Sequence, residues 1–325
     1  MSATPTSTGD PEPRPQALHL VGIGVTHSIG RPMHDAVARS LGLPWTFHNT
    51  ECPSLDALAA LARRPATAGL VVTMPYKGAG AMRRAVVDRL DAWAAAAGAC
   101  NLVYRDARDP AVLVGSNTDW AGVRGALREK GDEARRPREE GEGGERNPPA
   151  LVVGAGGASR AAVYALSVHL HTRVIYVVNR DEGEVAALRQ DVQKVPASPA
   201  PVIVHVRSLE QARPLDTPYY VVGTVPDCEP QTEPERTMAE ILREFLARPE
   251  KGTLVDLCYK PRRTRMIKLA ESLGWPTVDG THVIGHQFEQ QWALWVGEEA
   301  AAKMDKEAAW RVLMQKAEES EDINF

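Results

Sequence analysis

The chain has 325 residues, 43% of them apolar and 25% charged, and a formal net charge of −4. That length exceeds the usual size of one domain and implies two. The mild acidity argues against nucleic acid or an anionic membrane as partner, while a local cationic pocket for a small anion stays possible; no apolar run approaches the roughly 20 residues that span a bilayer.

Residues 1–16 are rich in Pro, Ser and Thr and lack an apolar core, which predicts a disordered tail and not a secretory signal. A strand is expected over 18–25, a helix over 32–41 with Pro32 in its first turn, and a second strand over 45–48. A helix capped by Ser54 follows, then a strand over 70–73 and an alanine-rich helix over 92–97. Residues 101–104 and 112–115 are expected to pair across an Asp109-Pro110 turn. The next helix starts after Asn117-Thr118-Asp119, with Asp119 in a capping position, and runs to about Glu129. Residues 130–149 turn abruptly charged and Gly/Pro-rich, as a solvated linker or insertion does. From Ala150 a second series begins: strand 151–153, helix 159–170, strand 174–178, helix 182–193, and strands over 202–206, 219–222 and 254–257. Apolar strands alternating with helices indicate a parallel sheet covered on both faces. Helical segments over 284–296 and 298–317 close the chain. Cys52, Cys100, Cys228 and Cys258 form no C-x-x-C pair, which suits reduced, buried thiols and predicts neither a disulfide frame nor a metal site. A cytoplasmic protein is expected.

Gly154, Ala155, Gly156, Gly157 and Ala158 directly follow a strand and open a helix. The first glycine permits the tight turn, the second lets the backbone approach a pyrophosphate, and the helix N-terminus offers free N–H groups. The following strand ends at Asn179-Arg180. An acidic residue there would hold the ribose 2′-hydroxyl of NAD; Arg180 instead suits the 2′-phosphate of NADP, although Asp181 and Glu182 would repel it. NADP is favoured and NAD stays open.

Seven short motifs, in order across residues 21–292, resemble the shikimate/quinate dehydrogenase family. They are Gly24 through His34, Val72-Thr73-Met74-Pro75-Tyr76-Lys77, Gly98-Ala99-Cys100-Asn101, Asn117-Thr118-Asp119-Trp120-Ala121-Gly122, the glycine loop, Asp256-Leu257-Cys258-Tyr259-Lys260-Pro261 followed by Thr264, and Gly280 leading to Gln287. The resemblance implies an α/β protein in which residues 17–129, completed by helices in 280–325, form a substrate-binding domain. Residues 150–279 would form a Rossmann-like NAD(P)-binding domain, with the active site in the cleft between the two. It implies Lys77 and Asp119 as the catalytic pair, and Ser28, Gly30, Thr73, Asn101, Tyr259 and Gln287 around the substrate. Thr224 and Gly280 would join the loop, Asn179 and Arg180 at the cofactor. Oxidising a secondary alcohol needs a hydride acceptor and a base for the hydroxyl proton, and a lysine in a cleft oriented by a carboxylate can serve as that base.

Three positions depart from the family pattern. Ser28-Ile29-Gly30 has glycine where a second hydroxyl residue is usual, His34-Asp35 replaces His-Asn, and Gly223 stands where an Asn commonly precedes Thr224. Gly30 removes a donor and a side chain at the carboxylate end, where quinate differs from shikimate by a tetrahedral C1 bearing a hydroxyl. A glycine here also resembles plant members that prefer quinate. The expected reaction is interconversion of quinate and 3-dehydroquinate by a monomer or homodimer. The alternatives are an NADP-dependent shikimate dehydrogenase and a catalytically silent metabolite-sensing relative.

Overall fold

The computed structural model describes residues 14–132, 136, 147–197 and 200–324. Most of the expected tail, 1–13, and most of the expected linker, 133–135 and 137–146, lie outside the described residues.

The first half runs β1 (Gln16–Gly22), α1 (Gly30–Ser40), β2 (Trp45–Glu51), α2 (Leu55–Ala62), β3 (Thr67–Val72), α3 (Ala79–Ala85), β4 (Arg89–Leu90), α4 (Ala92–Ala97), β5 (Leu102–Arg105), β6 (Leu113–Ser116) and α5 (Asp119–Arg128). Its six-stranded sheet has the order β2-β1-β3-β5-β6-β4. β1 lies parallel to β2 and β3, whereas β5 is antiparallel to both β3 and β6. The expected turn joins β5 to β6: Asp109 accepts from Ala111 N through its side chain and from Val112 N through its carbonyl. Ser54 caps α2 by accepting from Ala57 N. Asp119 is the first residue of α5 rather than its cap; Thr118 holds that place, because its hydroxyl and amide are drawn into the network described below.

The second half runs β7 (Ala150–Val153), α6 (Gly157–Tyr164), β8 (Val174–Val178), α7 (Glu182–Val192), β9 (Val202–His205), α8 (Leu209–Ala212), β10 (Tyr220–Gly223), α9 (Glu233–Leu246), β11 (Thr253–Asp256), α10 (Arg265–Ser272) and β12 (Thr277–Val278). All pairings in this sheet are parallel, in the order β12-β11-β10-β7-β8-β9. Numbered from β7 as strand 1 this is 3-2-1-4-5-6, the doubly wound dinucleotide-binding order. Every residue of β7, β10 and β11 is buried, as strands covered on both faces must be. The helix expected over 159–170 starts at Gly157 and turns π-helical over Ala165–His169. Ser167 Oγ donates to Val163 O at 2.7 Å, competing for the carbonyl an α-helical Ser167 N–H would use.

The chain then returns to the first sheet through α11 (Gly280–Gly285), α12 (Phe288–Val296), α13 (Glu298–Ala301) and α14 (Lys306–Glu319). Trp292 of α12 and Leu313 and Ala317 of α14 share an apolar cluster with Leu18, Met33 and Phe47. Both expected C-terminal helices are therefore broken, the first at His286-Gln287 and the second before Asp305, which caps α14. Cys52 and Cys100 are buried as expected, but Cys228 is exposed and Cys258 partly so. Among the described residues no helix is long and apolar enough to cross a membrane.

Candidate active site

A cleft of about 530 Å³ opens between the two sheets. From the first domain it is lined by Ser28, Gly30, Thr73, Lys77, Asn101 and Asp119. The glycine loop contributes Gly156, Gly157 and Ala158, and the remaining wall holds Thr224, Tyr259, Gly280 and Gln287. Residues separated by up to 259 positions in sequence thus meet in one space, because the loops at the strand ends of both sheets face it.

Lys77, just beyond β3, places Nζ 2.5 Å from Asp119 Oδ2 at the start of α5. The carboxylate is held from its other side: Asn101 Nδ2 donates to Asp119 Oδ1 at 2.8 Å, while Asn101 Oδ1 accepts from Thr118 N at 2.6 Å. Asp119 is also favoured by its position in the first helical turn, where the free N–H groups attract negative charge. Only 5% of its side chain is exposed, against 20% for Lys77. The pair is therefore a desolvated, oriented amine and carboxylate open to the cleft on the amine side.

Gln287 could have faced solvent by sequence alone; it is buried. Its Oε1 accepts from Asn101 Nδ2 at 3.1 Å, Thr118 Oγ1 at 3.0 Å and Gln291 Nε2 at 3.0 Å. Gln291, also buried and lining the cleft, was missed; its spacing of four from Gln287 on α12 was the available signal. Ser28 sits on a loop pinned by β2: Asn49 Nδ2 donates to Ser28 O at 2.8 Å, and Gly24 N and Val25 N donate to the Glu51 carboxylate. Tyr259 is raised above the ordinary phenol range by burial, opposed by its hydrogen bond with Ser28. Asp35, a departure from the family pattern, accepts from Phe47 N at 2.8 Å and so fixes α1 against β2.

Gly154 has φ +113°, and a Cβ there would meet Thr224 Oγ1 at 2.4 Å. Thr224 donates to Val153 O and shares a 2.7 Å hydrogen bond with Ser159, so its hydroxyl ties β10 to the loop. Gly156 caps α6, is exposed, and has no atom within 4 Å of where a Cβ would stand. This open cradle at a helix N-terminus, at the point where strand order reverses between β7 and β10, fits the pyrophosphate of a dinucleotide. Arg160, missed in the sequence, braces the loop by donating to Ala155 O at 2.7 Å and to Asp191 at 2.8 Å. Gly154 and Ala155 lie beneath the cradle rather than in its wall.

Asn179 and Arg180 stand at the end of β8, outside the cleft wall. The Asn179 amide donates to Asp181 O and Glu184 Oε2, and Arg180 is paired with Glu235. The acidic neighbours expected to weaken a phosphate site are thus joined by a carboxylate that was not foreseen.

Residues 20–103 match the family model described as the shikimate dehydrogenase substrate binding domain. A quinate dehydrogenase of Emericella nidulans is 33% identical over 311 residues, covering 90% of this chain and 91% of that protein. The crystal structure of Mycobacterium tuberculosis shikimate dehydrogenase has a TM-score of 0.70 and 26% identity, covering 93% of this chain and 100% of the other. A shikimate 5-dehydrogenase from Thermus thermophilus, solved with NADP(H) and shikimate, has a TM-score of 0.64 and 28% identity, covering 91% of this chain and 99% of the other. Motifs, fold, cleft and relatives agree, and the chain belongs to the shikimate/quinate dehydrogenase family.

Proposed function

We propose that the protein interconverts quinate and 3-dehydroquinate with NAD(P), in the cleft between a substrate-binding domain (17–129 with 280–325) and a cofactor-binding domain (150–279). The observation that carries this reading is the Lys77–Asp119 pair, 2.5 Å apart, opposite the glycine loop and in one cleft with Gly30. Held at the glycine loop by Gly156, Gly157 and Ala158, a bound nicotinamide dinucleotide would supply the acceptor for the hydride on C3 of the ring. The chain's own part is proton management: Lys77 Nζ accepts the C3 hydroxyl proton, and Asp119 holds the resulting ammonium. Asn101 and Gln287 keep Asp119 aimed, and their amide groups suit a polyol whose hydroxyls both donate and accept. Ser28 donates to the ring carboxylate. The N–H groups at the start of α6 receive the pyrophosphate, and Arg180 is the group available to a 2′-phosphate once it parts from Glu235.

Gly30 favours quinate because nothing packed around it demands glycine. A Cβ at that position would find its nearest neighbours at 3.8–3.9 Å, an ordinary contact, so the space is left for ligand. The enzyme is placed in the cytoplasm, where free thiols such as Cys52 and Cys100 persist, as a monomer or homodimer. Initial rates followed at the reduced-nicotinamide absorbance, crossing quinate and shikimate with NAD⁺ and NADP⁺, test the reading. Quinate-dominated turnover is expected. Shikimate-dominated turnover overturns the role given to Gly30, and silence from folded protein overturns the catalytic reading.

A further inference from the structure

We propose that His34 is a specificity-determining residue, donating from Nε2–H across the gap left by Gly30 to the C1 hydroxyl of the ring acid. Gly30 and His34 are four apart on α1 and share a face. The three atoms around the empty Gly30 Cβ position are His34 Cδ2 at 3.8 Å, Ile284 Cγ2 at 3.9 Å and Ser28 Oγ at 3.9 Å. The gap is thus bounded by one hydroxyl, one methyl and the Cδ2–Nε2 edge of an imidazole, and all three residues line the cleft.

The proton on that imidazole is assigned by its other nitrogen. Trp292 Nε1 donates to His34 Nδ1 at 3.1 Å, and an indole N–H can only donate. Nδ1 therefore carries the lone pair, and the neutral ring must carry its hydrogen on Nε2. Burial pushes the His34 pKa down to about 3, which keeps the ring neutral at physiological pH. The hydrogen bond to Nδ1 sets which edge of the ring faces Trp292, and the ring plane is held by stacking on Phe47 at 4.2 Å with an interplanar angle of 12° and by Trp295 beside it. Among the described residues Nε2 has no hydrogen-bond partner, so its N–H is a donor one covalent bond from Cδ2, the ring atom that borders the gap.

The two ring acids differ at this place. The trigonal C1 of shikimate bears no hydroxyl, whereas the tetrahedral C1 of quinate directs one out of the ring. With the carboxylate on Ser28, that hydroxyl meets a neutral donor. The inference rests on the quinate reading above, and the experiment separates the two. The quantity measured is the ratio of kcat/KM for quinate to kcat/KM for shikimate, which is independent of the fraction of folded protein. His34→Phe keeps the stacking on Phe47 and removes both nitrogens; the ratio should fall at least ~10-fold, as for a buried hydroxyl left without its donor. His34→Gln retains an acceptor for Trp292 and a donor for the gap, and should hold the ratio within about 3-fold. An unchanged ratio in His34→Phe, or equal loss in both variants, overturns the role of His34. Absent quinate turnover in the unmodified protein overturns the quinate reading before any variant is compared. Should His34→Phe fail to fold, ¹⁵N-histidine spectra of the unmodified protein decide instead. The His34 Nε2 resonance, assigned by its loss in His34→Gln, should move on adding quinate and not on adding shikimate, and a resonance indifferent to quinate overturns the proposal.

Discussion

Replacing Asp256 with asparagine should stabilise the protein at neutral pH and leave it unchanged in acid. Asp256 ends β11 at 2% exposure, accepting from Thr264 Oγ1 at 2.7 Å and Cys258 N at 3.1 Å. Burial raises its carboxyl from 3.8 to about 6; the two hydrogen bonds oppose the rise, and the nearby Asp227 charge adds to it. A pKa raised by folding means that the native state still holds a proton over pH 3.8 to 6 that the unfolded chain has released. Stability from this group is full below the unfolded value, declines through that window, and is lowest above it. The interval corresponds to about 3 kcal/mol. Asparagine cannot ionise; its carbonyl can receive the Cys258 N–H while its amide donates to Thr264 Oγ1. With the neutral forms equivalent in acid, a gain of up to about 3 kcal/mol is expected at pH 7.5, or ~6–12 °C in Tm. Thermal unfolding by circular dichroism at pH 7.5 and pH 5 measures it, and the gain should shrink at the lower pH. A variant less stable at pH 7.5, or equally stabilised at both, refutes the argument that desolvation outweighs the two hydrogen bonds.

Two substitutions test the site directly. Lys77→Ala retains the Cβ that packs against Gly157 and removes the amine, so kcat should fall ~10²–10⁴-fold while the circular dichroism spectrum and cofactor affinity by fluorescence titration persist; near-normal turnover would contradict the proton role. Glu235→Gln frees Arg180 from its ion pair, and the NADP⁺-to-NAD⁺ ratio of kcat/KM should rise about 3–10-fold, the scale of one exposed charge contact; no change would show that Arg180 does not reach the ribose.

Much of the fold was legible because the strands speak in short apolar runs. Leu151-Val152-Val153 and Val174 through Val178 were found almost to the residue. The first sheet was harder, since its mixed order depends on which strand edges meet, and β4 and β12 are two-residue strands that carry no periodicity. Helix α9 was overlooked although Thr232 and Glu235 announce a capping box: Glu235 accepts from Thr232 N at 3.0 Å. In the site, the motifs named the residues that line the cleft. Missed were the ones that hold them. Thr118, Gln291 and Arg160 act partly through hydrogen bonds to partners 17 to 173 positions away, and pairings at such distance leave no local pattern.

The glycine departures show why a family pattern must be read against its own surroundings. Gly223 and Gly30 both replace a side chain, yet for opposite reasons. A Cβ on Gly223 would stand 2.6 Å from Asp256 Oδ1 and from Met266 Sδ, so no larger residue fits while that buried carboxylate stays in place. Around Gly30 a Cβ would be comfortable, and the missing side chain is replaced by nothing in the fold. Packing accounts for the first glycine and cannot account for the second. Gly157 adds a third case: its Cβ would meet Lys77 Cβ at 2.8 Å, so the glycine loop touches the residue proposed to take the proton. A side chain at 157 would press on Lys77 where the glycine loop meets the first domain. Under the proposed reaction, the spacing of its two halves would be set by the contact of Gly157 with Lys77 Cβ, and the choice of ring acid by an empty volume four residues before a buried, neutral histidine and its indole partner.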